Sequence, residues 1–361
     1  MQSGFDLAQE DAFQMPLLME IPDAAQTNMR NMVGAEFRIS GISRITTLRR
    51  VALVCAALVL AITTLSAFIR LSRAGLGCEP WPQCYAASLQ KTGQEMAPPA
   101  EGAVAAARVT HRVVAVAALL VVISMVMTTL SKAPILWRQG RMALGLLALA
   151  LFLAILGRWS SDARVPAVML GNLIAGFAMF ALCCRLIQST SQAPVATAPR
   201  DGPARWARLG VALLVAQIIL GGLVSAGHAG LSCPQLLTCD VGGGSWRLLN
   251  PWQETPADLA DPANPAGALV HGLHRAGAVV AAAVLLPLGV AAWRRGRRRA
   301  GGAVILLLVV QVVLGALLIV GGLPLSLALA HNVVAALLLA AVYGLAGNGR
   351  RLQAPSGGSG R

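Results

Sequence analysis

Five histidines, His111, His228, His271, His274 and His331, stand in or beside long apolar runs. An imidazole is costly to bury in such a run and is functional by default. Its neutral nitrogen is also a good ligand for iron. His274 and His331 each lie about eight residues into a run entered from the same side, which at the helical rise places them at one depth. Two imidazoles at one depth on different helices of a bundle can ligate a haem iron from opposite faces; the alternative for each is a structural hydrogen bond. His111 lies at a matching depth in an earlier run. The position expected to partner it is Asn172, in "PAVMLGNLIAGF". A carboxamide is a poor iron ligand, so the earlier site has one strong ligand, with Asn172 a porphyrin contact, a water holder or a packing amide. Arg112 and Arg275 each follow a histidine. They pair with haem propionates or snorkel to headgroups. His271 falls one turn before His274, nearer water, and His228 at a helix end.

Cysteine is the second reactive type. Of seven cysteines, Cys78 and Cys84 form one C-x5-C pair, and Cys233 and Cys239 another, each in a loop between apolar runs. In an oxidising compartment such pairs can form disulfides, Cys78–Cys84 and Cys233–Cys239. They then serve as clamps or as exchangeable redox pairs. The spacing is wider than structural zinc sites favour. Cys55, Cys183 and Cys184 fall inside apolar runs and read as core fillers.

Eight apolar runs must position these residues: Val51–Ile69, Ala103–Leu130, Met142–Trp159, Val165–Ile187, Leu209–Ala226, Gly267–Trp293, Gly302–Leu323 and Pro324–Leu345. Each is long enough to cross a bilayer as a helix, the third being marginal in length with its ends unfixed, and far too long for a barrel strand. The expected fold is an all-α membrane protein. The composition agrees, with 56% hydrophobic and 12% charged residues in 361. The net charge of +14 resides in alternate loops. Basic clusters occur at Arg44–Arg50, Lys132–Arg141, Arg200–Arg208, Arg294–Arg299 and Arg350–Arg351. That alternation is the positive-inside pattern and points to a lipid bilayer rather than nucleic acid as partner. It places both termini in the cytoplasm and the cysteine loops outside. The expected domains are a disordered cytoplasmic tail at 1–48, a four-helix half at 49–188, a cytoplasmic linker at 189–208, a second four-helix half at 209–346 and a tail at 347–361. A true start at Met29 or Met32 is an equal reading of the first segment.

One unit is written twice. "AGLGCEPWPQC" is followed by "VTHRVV", and later "AGLSCPQLLTC" is followed by "GLHRAG". Equivalent positions are separated by an even number of runs, so the halves are parallel repeats, expected to form two four-helix bundles side by side. The outer loop from Ser232 to Ala266 carries Trp246 and Trp252, either functional or interface anchors.

Together, "GLGCEPWPQC", "THR", "AQIILGGLVS", "GLSCPQLLTC", "HGLHRAGA" and "LPLSLALAHN" resemble the haem A synthase family of oxidase assembly, in its cysteine-containing bacterial form. The resemblance covers Arg49 to Tyr343. It implies eight helices in the bacterial inner membrane, haem b held by His274 and His331 in the second half, and a first half around His111. There the C8 methyl of haem O, the substrate, is oxidised to a formyl group. It implies a haem O synthase as partner, names no electron acceptor and leaves a homo-oligomer open. Family members usually carry Glu three residues before the first-half histidine, where this chain has Arg108, and a second histidine where it has Asn172. Asp162, in "GRWSSDAR", is a conceivable substitute carboxylate. A non-catalytic haem b protein is the alternative reading, and a thiol–disulfide oxidoreductase a third.

Overall fold

The computed structural model describes residues 23–72, 101–131, 133, 135–159, 165–191, 202–255 and 263–346. The chain divides into two units, Met1–Arg44 and Ile45–Arg361. Eight α-helices follow in order: α1 Asp23–Ser72, α2 Glu101–Leu130, α3 Trp137–Trp159, α4 Pro166–Ser189, α5 Gly202–Ala226, α6 Ala268–Arg294, α7 Arg298–Val320 and α8 Leu325–Ala346. Short 3-10 turns at Trp246–Leu249 and Pro265–Gly267 interrupt the α5–α6 loop. No strand occurs among the described residues.

Each helix contains a span long and apolar enough to cross a membrane, from Ser43–Leu71 to Leu325–Ala346. The third, marginal in length in the sequence, becomes Trp137–Arg158 with mean hydropathy 2.1. On α2, Val109, Val113, Val116, Leu120, Ile123 and Met127 are all exposed. Their three- and four-residue steps make one continuous apolar stripe, a surface suited to lipid rather than water. The chain is a multi-pass helical membrane protein.

Two expected boundaries shift. Residues 23–48, placed in a disordered tail, are helical and continue into the first span. The reason is local: Asp23 follows Pro22 as an acidic start, and no proline recurs before Pro80, so nothing breaks the helix. The linker expected at 189–208 is likewise shortened, because residues 202–208 open α5.

In the second half α5 packs on α6, α6 on α7, α7 on α8 and α8 back on α5. This closed circuit is a four-helix bundle. In the first half α2 packs on α3 and α3 on α4. Helix α1 meets α4 where the Sγ atoms of Cys55 and Cys183 lie 3.6 Å apart, both buried. Helix α4 also packs on α5 and α8, which joins the halves. Around it Phe177, Leu186, Leu146, Leu285 and Leu338 are fully buried. The second half thus forms a closed bundle, and α4 links the first-half helices to it.

Candidate functional site

His274 is the seventh residue of α6, counting from Ala268, and His331 the seventh of α8, counting from Leu325. Asn172 is the seventh of α4, counting from Pro166. The three residues therefore share one position counted from the start of their helices. His274 and His331 lie within electrostatic range of each other. Both rings are half-buried, while the Nδ1 atom of each is sealed from solvent with no hydrogen-bond partner. Burying such an atom unpaired costs free energy, so the pair is held ready for a partner rather than satisfied by the fold.

Each ring is seated against a glycine of the preceding helix. A Cβ added at Gly221 of α5 would stand 3.0 Å from Cε1 of His274, and one at Gly315 of α7 would stand 3.4 Å from Cε1 of His331. Four residues before each glycine is a glutamine, Gln217 and Gln311. The side-chain amide of Gln311 lies 3.0 Å from Nε2 of His331. These glutamines and glycines were not singled out as site residues by sequence reasoning. The available signal was "QIILG" at 217–221 and "QVVLG" at 311–315, one pattern written twice inside the second half.

One turn above His274, His271 is buried and its Nε2 accepts a 3.2 Å hydrogen bond from Nε of Arg275. The same guanidinium donates through Nη1 to the carbonyl of Gln235 at 2.6 Å and through Nη2 to the carbonyl of Cys233. Arg275 is therefore engaged through all three nitrogens, two of them with the cysteine loop and the third with His271 of its own helix. Cys233 and Cys239 form a disulfide, while Cys78 and Cys84 lie outside the described residues. The loop is tied down elsewhere as well. Asn264 accepts from the Gly267 amide at 2.7 Å and donates to the carbonyl of His228 at 3.4 Å. His228 is buried in the left-handed conformation that ends α5. The amide of Ala167 in α4 donates to the Pro251 carbonyl at 2.8 Å, so the loop caps a helix of the other half. A cavity of about 190 Å³ beneath it is lined by Leu223, Arg247, Leu248 and Glu254 among others, and by no histidine. Trp246 and Trp252 are exposed at its rim.

The first half is less assembled. His111 and Asn172 are half-buried, while Arg108 and Arg112 are exposed. No hydrogen bond joins His111 to Asn172, and Asp162 lies outside the described residues. Cys55 and Cys183 are buried core side chains, as read. Among the described residues no three His, Cys, Asp or Glu side chains converge as a metal cage.

The chain is 30% identical over 318 residues to a curated haem A synthase of Shewanella oneidensis, an alignment covering 82% of this chain and 94% of that protein. A family model described as cytochrome oxidase assembly protein matches residues 49–343, the whole of the apolar helical region. The chain belongs to the cytochrome oxidase assembly protein family.

Proposed function

We propose that this chain performs the haem A synthase reaction, oxidising the C8 methyl of haem O to a formyl group, with haem b held by His274 and His331. The observation that carries the haem site is the paired seating of two imidazoles. They share a helix register, lie near each other, and each keeps a buried, unpartnered ring nitrogen. The donor set fits haem: two protein imidazoles suffice when a porphyrin supplies the remaining ligands. Bound there, haem b would supply one-electron redox chemistry at iron. The protein's part is to fix both rings by packing against Gly221 and Gly315, to exclude water with the apolar bundle, and to cover the site with the loop that Arg275 anchors. His111 serves the substrate haem in the first half. The site lies toward the outer face of a bacterial inner membrane, with both termini cytoplasmic, as the basic loops support. A haem O synthase supplies the substrate.

The test is co-expression with a haem O synthase in a host that makes no haem A, followed by analysis of the extracted haems. Haem A is expected with the native chain. His274→Ala and His331→Ala are each expected to lose stoichiometric low-spin haem b, whereas His111→Ala keeps it and loses haem A. Native chain with bound haem b and only haem O in the extract would overturn the synthase reading. It would favour a non-catalytic haem b protein, a reading that draws on the exposed Arg108 and the unlinked His111 and Asn172.

A further inference from the structure

The second half contains a duplication of its own. Gln217 lies nine residues before the end of α5 (217 to 226), and Gln311 nine before the end of α7 (311 to 320). Gly221 and Gly315 share the next step of that register. The two helices also end alike. The amide of Gly227 bonds the carbonyl of Leu223 at 2.8 Å and that of Ala229 bonds Val224 at 2.9 Å. Correspondingly, Gly321 bonds Leu317 at 2.8 Å and Leu323 bonds Leu318 at 2.8 Å. His228 and Gly322, at the matching cap position, both have positive φ, 50° and 67°. The two caps touch, since a Cβ at Gly230 would meet Leu323 Cδ1 at 2.5 Å. Each unit is thus a Q-x-x-L-G helix followed by a helix with histidine in its seventh place.

Helix geometry explains the pattern. The carbonyl of a residue bonds the amide four residues on. A glycine at that position has no side chain to cover the carbonyl, so an imidazole from the next helix can reach it. Gly221 and Gly315 stand four residues after Gln217 and Gln311 and leave this space to the facing ring, a Cβ there standing 3.0 Å from Cε1 of His274 and 3.4 Å from Cε1 of His331. The glutamine side chains then differ for a visible reason. Gln217 Nε2 lies over Gly277, where a Cβ would stand 1.9 Å from it. The matching position on α8 is Val334, which has a Cβ where Gly277 has none, and the Gln311 amide lies against His331 Nε2. The Oε1 atoms of both glutamines are buried without a partner.

We propose that Gln217 and Gln311 are the positioning residues of the two axial imidazoles, each glutamine flanking the ring of the helix that follows it. This rests on the haem b reading above. Metal-bound histidines depend on such outer partners for tautomer and ring orientation, and their loss costs about 10–100-fold in affinity.

The experiment uses the full-length haem-loaded protein in detergent. Native chain, Gln311→Leu, Gln217→Leu and Gln311→Glu are compared by haem content, low-spin electron paramagnetic resonance, midpoint potential and haem loss to a soluble scavenger. Leucine keeps the volume and removes the polar groups. Gln311→Leu is expected to bind haem b, to lose it about tenfold faster and to change the resonance, because the imidazole plane is no longer fixed. Gln217→Leu changes both in the same direction by less, because its amide lies over Gly277, one turn from the ring, rather than against a ring nitrogen. Gln311→Glu keeps slow haem loss and lowers the potential, since a carboxylate beside the ring favours ferric iron. If Gln311→Leu is unchanged in loss rate, resonance and potential, the assignment is overturned. If only Gln217→Leu is unchanged, the pairing is overturned. If either leucine variant takes up no haem, Gln311→Glu decides: a native-like loss rate with a lowered potential supports the assignment, and a native potential overturns it. A native chain without a low-spin haem signal would sink the haem b reading itself, a different result from a native signal that the variants leave unmoved.

Discussion

At the scale of single residues, the sharpest information concerns Arg275. Its type and place, one residue after His274, fit either a propionate partner or a side chain reaching for headgroups. The structure gives it a third employment, with three hydrogen bonds to His271 Nε2 and the carbonyls of Gln235 and Cys233. Hydrogen bonds to a charged group contribute about 1.5–3 kcal/mol each when desolvated, less when water competes. Arg275 is half-buried, so Arg275→Leu is expected to release the loop rather than unfold the bundle. Limited proteolysis of the variant should cut within 232–255 several times faster than in the native chain. Its haem b absorption spectrum should stay native; a loss of haem with the loop still protected would instead assign Arg275 to a propionate. Such a carbonyl clamp is invisible in sequence, because backbone acceptors carry no residue-type signature. The histidines were legible for the opposite reason. Few ionisable groups occur in these runs, and helix periodicity alone fixes their depth. Gln217 and Gln311 fell between these cases. Their repeat is written in the sequence, but an uncharged amide raises no alarm until a ring is seen beside it.

At the scale of elements, helix positions and lengths followed from hydropathy, and the span limits differ from the sequence reading by only a few residues at most ends. How closely the helices cross did not follow, because it depends on which glycines face a backbone. The tightest crossing lies where α6 and α7 meet beyond the basic turn. A Cβ at Gly301 would stand 2.5 Å from the Gly289 carbonyl oxygen and 2.6 Å from the Trp293 amide nitrogen. Small residues at such points let backbones approach, the main packing device where lipid removes the hydrophobic drive between helices. Backbone atoms cannot rotate away, so Gly301→Leu must push α7 off α6. Overpacking of this kind costs about 1–3 kcal/mol. Thermal unfolding in detergent should show a lower midpoint and, because α7 carries Gln311, a partial loss of haem. A Cβ at Gly157 meets nothing within 4 Å, so Gly157→Leu serves as the control and is expected to leave the midpoint unchanged. Loss of stability in both variants alike would show that the crossing is not the cause.

At the scale of the whole molecule, the two halves share a plan but not its contents. The register fixed by "AGLGC" and "AGLSC" aligns Ile62 and Ser66 with Gln217 and Gly221, and Asn172, seventh in α4, holds the helix position taken by histidine on α6 and α8. The second half has both imidazoles, both glutamines and a closed helix circuit, while the first keeps His111. Under the proposed function that inequality is expected, because a retained cofactor benefits from ligands on both faces and a substrate that must enter and leave does not. The arrangement requires one orientation in the bilayer, with the cysteine loop and the basic α6–α7 turn on opposite sides. Trp252 is 77% exposed in that loop, and Arg295 is exposed in the turn. Intact cells carrying Trp252→Cys should react with a membrane-impermeant maleimide above the level of the parent chain. Cells carrying Arg295→Cys should react only after the membrane is opened, because charge keeps that turn in the cytoplasm. Labelling of Arg295→Cys in intact cells would invert the topology. The haem pair would then lie toward the cytoplasmic face, and the disulfide in a reducing compartment where it would not persist.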